Sequence, residues 1–318
     1  MTTVCLRPAL ASLGIGVWLA ARAVPAALIF EIDFDGAAGS NNGDVVSGVT
    51  GGTATIRDGG AGTSQVLTSP DVFGDGGYLV TLYPAGAVPP YGARVTPASA
   101  ASSFAAMFST DGGSGQRQLE GAMDFFFRSD SNIDAGEELR FLDNDNRGNS
   151  GLRMVWQGWT SGYGDMRFEV IGNTDALGTG VSSLSAYAGT GFQIQGSLLY
   201  HLGMTVTTDD ATGQSTLKLF GVEGTGAINT SASTLEQGFI GSLSFNINES
   251  VVLNGFTAGA YDLGNLRNSG QTNQQEYDKF RIYDSVPAQF DAIPEPSTAL
   301  LTALGWVALA RSVFRRRA

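Results

Sequence analysis

Of the 318 residues, 44 are glycine, roughly twice the usual share of about 7%, so the chain is poor in helix formers and rich in turns. One histidine (His201) and one cysteine (Cys5) exclude a His/Cys zinc site, and 18 basic against 30 acidic residues give a net charge of −12, which argues against nucleic acid as a partner. At 42% apolar, the chain can bury a sizeable core.

Residues 1–26 carry Arg7, an apolar run from Ala9 to Ala21, and Val24-Pro25-Ala26, a small-residue site for cleavage after Ala26. This is the three-part pattern of a secretory signal peptide, and its run is shorter than the roughly 20 residues a spanning helix needs. Cys5 lies within it, so the exported body is expected to fold without disulfides.

The body, residues 27–293, carries 12 basic and 29 acidic side chains, a charge of −17. Short apolar or alternating runs bounded by Gly, Asn, Asp or Ser predict strands at 28–34, 78–83, 121–128, 138–142, 152–157, 166–171, 198–207, 215–222, 239–247, 256–261 and 277–283. No run carries a long helical period, and no strand is read in the Gly-rich stretch 36–77. Turn-rich segments at Asp209–Gly213 and Asp143–Gly148 predict two hairpins, joining 199–206 to 216–220 and 138–142 to 152–156. The expected architecture is one all-β antiparallel sandwich.

Three groups of side chains are candidate sites. Glu31, Asp33 and Asp35 alternate on a strand, the spacing at which paired carboxylates could act as nucleophile and acid/base on a glycosidic bond. The same alternation equally sends Phe30, Ile32 and Phe34 to the core and the carboxylates to water. Asp143 and Asp145 open a segment with calcium-loop spacing, but position 12 is Met154, so the bidentate Glu is missing and a calcium would be held only partly by these two, or elsewhere by Asp33 and Asp35 beside Asp278. Trp159 and Tyr163, read as loop residues, offer faces for a sugar ring, with Gln157 as a hydrogen-bonding neighbour. His201 alternates with Gly203, opposite Tyr200 and Leu202, and is read as a surface or partly buried histidine. No nucleophile elbow, phosphate loop or dinucleotide fingerprint is present, so no cofactor is expected beyond possible calcium.

The C-terminus, residues 294–318, reads Pro294-Glu295-Pro296, a short apolar stretch from Thr298 to Ala310, then Arg311 and Arg315-Arg316-Arg317. Prolines break the preceding strand, and the arginines would hold the end in the cytoplasm as one short transmembrane helix. This tail resembles the PEP-CTERM sorting signal of exported Gram-negative proteins. That resemblance implies an inner-membrane intermediate, an exosortase-type enzyme as partner, cleavage near Pro294-Glu295-Pro296, and delivery to the cell surface or medium. The body is similar to laminin-G-like or concanavalin-like jelly rolls through Met123–Arg128, the hairpin from Tyr200 to Gly221 and the closing strand Tyr277–Asp284. In such folds the closing strand pairs back near the first. The resulting expectation is an exported, non-enzymatic protein that binds extracellular polysaccharide or plays a structural role in the matrix. The alternatives are a glycan hydrolase or lyase using Glu31, Asp33 and Asp35, and a calcium-dependent protein-binding adhesion module.

Overall fold

The computed structural model describes residues 26–35, 41–57, 63–67, 73–74, 76–83, 92–98, 108–110, 117–131, 138–144, 150–160, 163–172, 183–187, 192–209, 211–212, 214–246, 261–267 and 273–293. In chain order the strands are β1 (Leu28–Ile32), β2 (Val45–Val46), β3 (Val49–Thr50), β4 (Gly52–Arg57), β5 (Thr63–Leu67), β6 (Tyr78–Tyr83), β7 (Gly92–Pro97), β8 (Phe108–Thr110), β9 (Arg117–Leu119), β10 (Gly121–Ser129) and β11 (Glu138–Asn144). There follow β12 (Ser150–Thr160), β13 (Tyr163–Gly172), β14 (Ser183–Tyr187), β15 (Gln193–Ile194), β16 (Leu199–Asp209), β17 (Gln214–Glu223), β18 (Ile228–Asn229), β19 (Phe239–Asn246), β20 (Tyr261–Arg267), β21 (Asn273–Tyr283) and β22 (Gln289–Phe290).

Two nine-stranded antiparallel sheets form the sandwich. The first runs β19-β17-β16-β10-β21-β1-β3, with β6 on the other half of β21 and β5 beyond it. The second runs β14-β13-β12-β11-β20-β7-β4-β2, with β15 on β13. Both expected hairpins form, as β16–β17 and β11–β12, and the closing strand β21 pairs with the first strand β1 as expected. In the β16–β17 turn, Asp209 Oδ1 accepts the Ala211 N–H at 2.8 Å, the Asx geometry that Asp209 supplies. Among the described residues the one helical turn is a 3₁₀ segment, Leu235–Gln237.

The tract at 36–77 departs from its irregular reading, since β2 to β5 lie within it. Alternation in β4 buries Ala54 and Ile56 and leaves Thr53 exposed, a short pattern diluted by Gly, Thr and Ser. Of the strand expected at 256–261, residues 256–260 lie outside the described residues, and Tyr261 opens β20. Both apolar terminal runs, 9–21 and 298–310, also lie outside them. Among the described residues no helix is long and apolar enough to cross a membrane.

Between the sheets, Phe30, Ile32, Leu79, Met123, Phe125, Phe127, Leu202 and Ile282 of the first meet Ala54, Ile56, Ala93, Val95 and Ile194 of the second. The first sheet is buried on its other face too, because residues 284–293 cross back over it. Phe290 packs there with Ala122, Phe220 and Ile228, and Ile293 packs with Phe73, Tyr78 and Phe126. Two-sided burial explains why β10 reads as a near-continuous apolar run rather than an alternating one.

Candidate functional site

The carboxylates of the first strand divide between two tasks. Glu31 is half-buried and paired across β1 and β21 with Arg281, on the sheet face that the crossing segment covers. Asp33 and Asp35 lie beyond the strand end, where Phe34 adopts φ 54°. Asp33 Oδ1 accepts the Asp35 N–H at 3.1 Å, and Asp35 Oδ1 accepts the Gly77 N–H at 3.0 Å. Their side chains also fill the space that side chains at Gly48 and Gly76 would need: ideal Cβ atoms there would lie 1.8 Å and 1.9 Å from Asp33 and Asp35 Oδ1. These two carboxylates therefore tie backbone turns together. Phe30, Ile32 and Phe34 are fully buried, as alternation required.

Asp143 sits within β11 rather than in the following turn, opposite Arg153 and Asp262, while Asp145 lies outside the described residues. Asp278 is in β21, buried, with Oδ1 accepting the Lys279 N–H at 2.7 Å. Among the described residues no group of three Asp, Glu, His or Cys side chains converges to hold a metal, so Asp33, Asp35 and Asp278 are not brought together. Trp159 lies within β12 and Tyr163 opens β13, so neither is a loop residue; Gln157 lies opposite Asp165. A register shift between Gly158 and Thr160 absorbs one residue and places Trp159 at a bulge.

His201 is fully buried, not the surface or partly buried histidine expected, because its sheet face lies beneath the crossing segment. Its Nδ1 donates to Gly226 O at 2.7 Å, and its Nε2 is 2.7 Å from Asp124 Oδ2. Arg281 grips the same carboxylate, Nε to Oδ1 at 3.0 Å and Nη2 to Oδ2, and also donates to Asp291 O at 2.8 Å. Burial works against the Arg281 cation, but the Asp124 charge and hydrogen bonds outweigh it and raise its pKa. The Tyr283 phenol is pushed far upward, first by burial and then by the Asp124 charge. Phe126 stacks on the imidazole with centroids 4.1 Å apart. Both ring nitrogens are taken by protein partners, so neither is turned toward a nucleophilic hydroxyl, and the cluster joins three strands to the segments at 226 and 291.

An open groove of about 520 Å³ lies at one end of β10, β16 and β17 in the first sheet, lined by Arg128, Ser197, Leu198, Leu199, Glu223 and Gly224. Its walls are held by hydrogen bonds, through side chains at Arg128 and through the backbone at Ser197 and Gly224. Arg128 Nη1 donates to Glu276 Oε2 at 2.9 Å, while Gln274 Nε2 donates to Glu276 Oε1 at 2.9 Å, holding the guanidinium at the rim. Ser197, at φ 69°, is fixed by its N–H to Ser129 O and its Oγ to Asp130 O at 3.0 Å. Gly224 takes φ 92° and donates to Leu199 O at 2.7 Å, a turn that glycine permits and that exposes the backbone. Leu198 and Leu199 give an apolar floor; Glu223 supplies an exposed acceptor, and Arg128, whose side chain is 30% exposed, supplies donors. Polar donors and acceptors around an apolar floor suit a ligand carrying both hydroxyls and C–H faces. Sequence reasoning missed this site because its six residues come from three separated segments.

No protein-family model matches the chain, and no curated protein matches its sequence. Similar solved structures include the binding domain of Paraclostridial Mosquitocidal Protein 1, at 12% identity over 86% of this chain and 51% of that one, with a TM-score of 0.45. A botulinum neurotoxin type C structure, described as dependent on two ganglioside molecules for cell entry, is 12% identical over 87% and 50%, TM-score 0.42. The winged bean acidic lectin complexed with methyl-α-D-galactose is 12% identical over 78% and 98%, TM-score 0.32. The chain matches about half the length of the toxin structures.

Proposed function

We propose that the protein is an exported, surface or extracellular β-sandwich that binds glycan without chemical turnover, with residues 1–26 removed as a leader and residues 294–318 serving as a PEP-CTERM-like sorting tail. The observation that carries the binding part is the groove of Arg128, Ser197, Leu198, Leu199, Glu223 and Gly224, whose mixed polar rim and apolar floor match the two faces of a pyranose ring. The engagement of Asp33 and Asp35 with turn backbone and of His201 with Asp124 and Gly226 favours binding over hydrolysis. A body charge of −17 supports solubility outside the cell. In the export reading, Pro294-Glu295-Pro296 follows directly on Ile293, which is buried and donates its N–H to Thr225 O at 3.1 Å, so an exosortase-type enzyme would cut at the edge of the folded body.

Fractionation of the native host with intact-mass analysis tests this reading. The expected result is a surface or medium form running from Ala27 to the 294–296 region that co-precipitates with the exopolysaccharide. A full-length chain kept in the inner membrane would overturn the sorting part, and a mature form that separates fully from the polysaccharide would overturn the glycan part.

A further inference from the structure

The body's first residue and the root of its crossing segment are clipped together. Ala27 N donates to Asp284 Oδ1 at 2.8 Å, and Asp284 N donates to Ala27 O at 3.1 Å. The β1–β21 ladder continues directly from this clip, with Leu28 opposite Tyr283. Ser285 Oγ donates to the same Asp284 oxygen at 3.0 Å. Both Ala27 and Asp284 are exposed. In the unprocessed chain the Ala27 nitrogen is a neutral peptide amide, so a side-chain carboxylate there receives one ordinary hydrogen bond.

We infer that Asp284 is a receptor for the α-ammonium group created when the leader is cut after Ala26. This inference rests on the export reading above. Hydrolysis of the Ala26–Ala27 bond consumes one water, leaving a carboxylate on Ala26 and an amine on Ala27 that takes up a proton. The new cation forms on the atom already 2.8 Å from the carboxylate, turning a hydrogen bond from a neutral amide into an ion pair. Among the described residues, cleavage forfeits the packing of Ala26 against the cluster holding Tyr283 and Phe290. Leader removal thereby fastens the start of segment 284–293, and with it the cover over the Asp124–His201–Arg281 cluster.

The chain contains two lysines, Lys218 and Lys279, so amine chemistry can be followed site by site. The experiment expresses the full chain with its leader, recovers the exported protein, and compares wild type with Asp284→Asn by peptide-resolved acetylation at neutral pH. Exposed ion pairs are worth little, so the expected effect is modest: the Ala27 amine of wild type reacts about threefold more slowly than that of the variant. Asp284→Glu restores the slow rate, while both lysines react equally in all three proteins. A protein starting at Ala27 whose amine reacts equally in wild type and Asp284→Asn overturns the inference and leaves the leader reading intact. A protein starting at another residue overturns the cleavage site, and the inference with it.

Discussion

Phe290 occupies the space that a side chain at position 203 would need: an ideal Cβ on Gly203 would lie 2.5 Å from Phe290 Cε2. The glycine in the middle of β16 is thus a notch for the crossing segment, and its φ is not what requires it. Gly203→Ala is expected to destabilise the protein by about 1–3 kcal/mol through overpacking, read by denaturant unfolding. In a Phe290→Leu background the same substitution should cost clearly less, since the two sites share one contact.

The buried cluster gives a second expectation. Asp124→Ala leaves Arg281 and His201 without the carboxylate they share, at 0% exposure for Asp124 and His201. Breaking such a buried arrangement typically costs about 3–5 kcal/mol, whereas replacing all its members with apolar residues of similar volume is often neutral. Equilibrium unfolding of Asp124→Ala beside the triple variant Asp124→Leu, His201→Phe, Arg281→Met should therefore show the single substitution as the more damaging.

Three buried phenols give an expectation at alkaline pH. Burial raises Tyr277 well above 10.0, and it raises Tyr283 and Tyr200 as well, with a hydrogen bond from Gln195 partly opposing the Tyr200 shift. A raised folded-state pKa means that stability is fully present below the unfolded value near 10.0 and is lost as pH rises above it, because the unfolded chain releases the proton first. Unfolding free energy measured between pH 9 and about 11.5 should fall with pH. Tyr277→Phe should flatten that fall, and an unchanged slope would show that this phenol is not the coupled group.

Much of the sandwich is legible in the sequence because its strands announce themselves by period-2 apolar residues, as in Leu199–Val206 and Thr216–Phe220, joined by an Asp-rich turn. The strands in 45–67 are not, since Val45–Val46 and Val49–Thr50 are two residues long and Gly, Thr and Ser mask the rest. His201 was misjudged for a different reason: alternation tells which residues share a face, while only the later segment 284–293 decides whether that face is wet. The groove was invisible because nothing in Arg128, Ser197 or Glu223 taken singly marks a site, and their convergence depends on the β10–β16–β17 register.

The central claim is that this groove binds glycan, and equilibrium binding of the exported protein to a panel of neutral and acidic polysaccharides tests it most directly. Wild type and the double variant Arg128→Gln, Glu223→Ala should be compared at matched folding, checked by thermal melting. The account predicts saturable binding to at least one polysaccharide, weakened about tenfold or more in the variant, equivalent to at least about 1.4 kcal/mol. Binding of equal strength by the two proteins, or none by wild type across the panel, would contradict it.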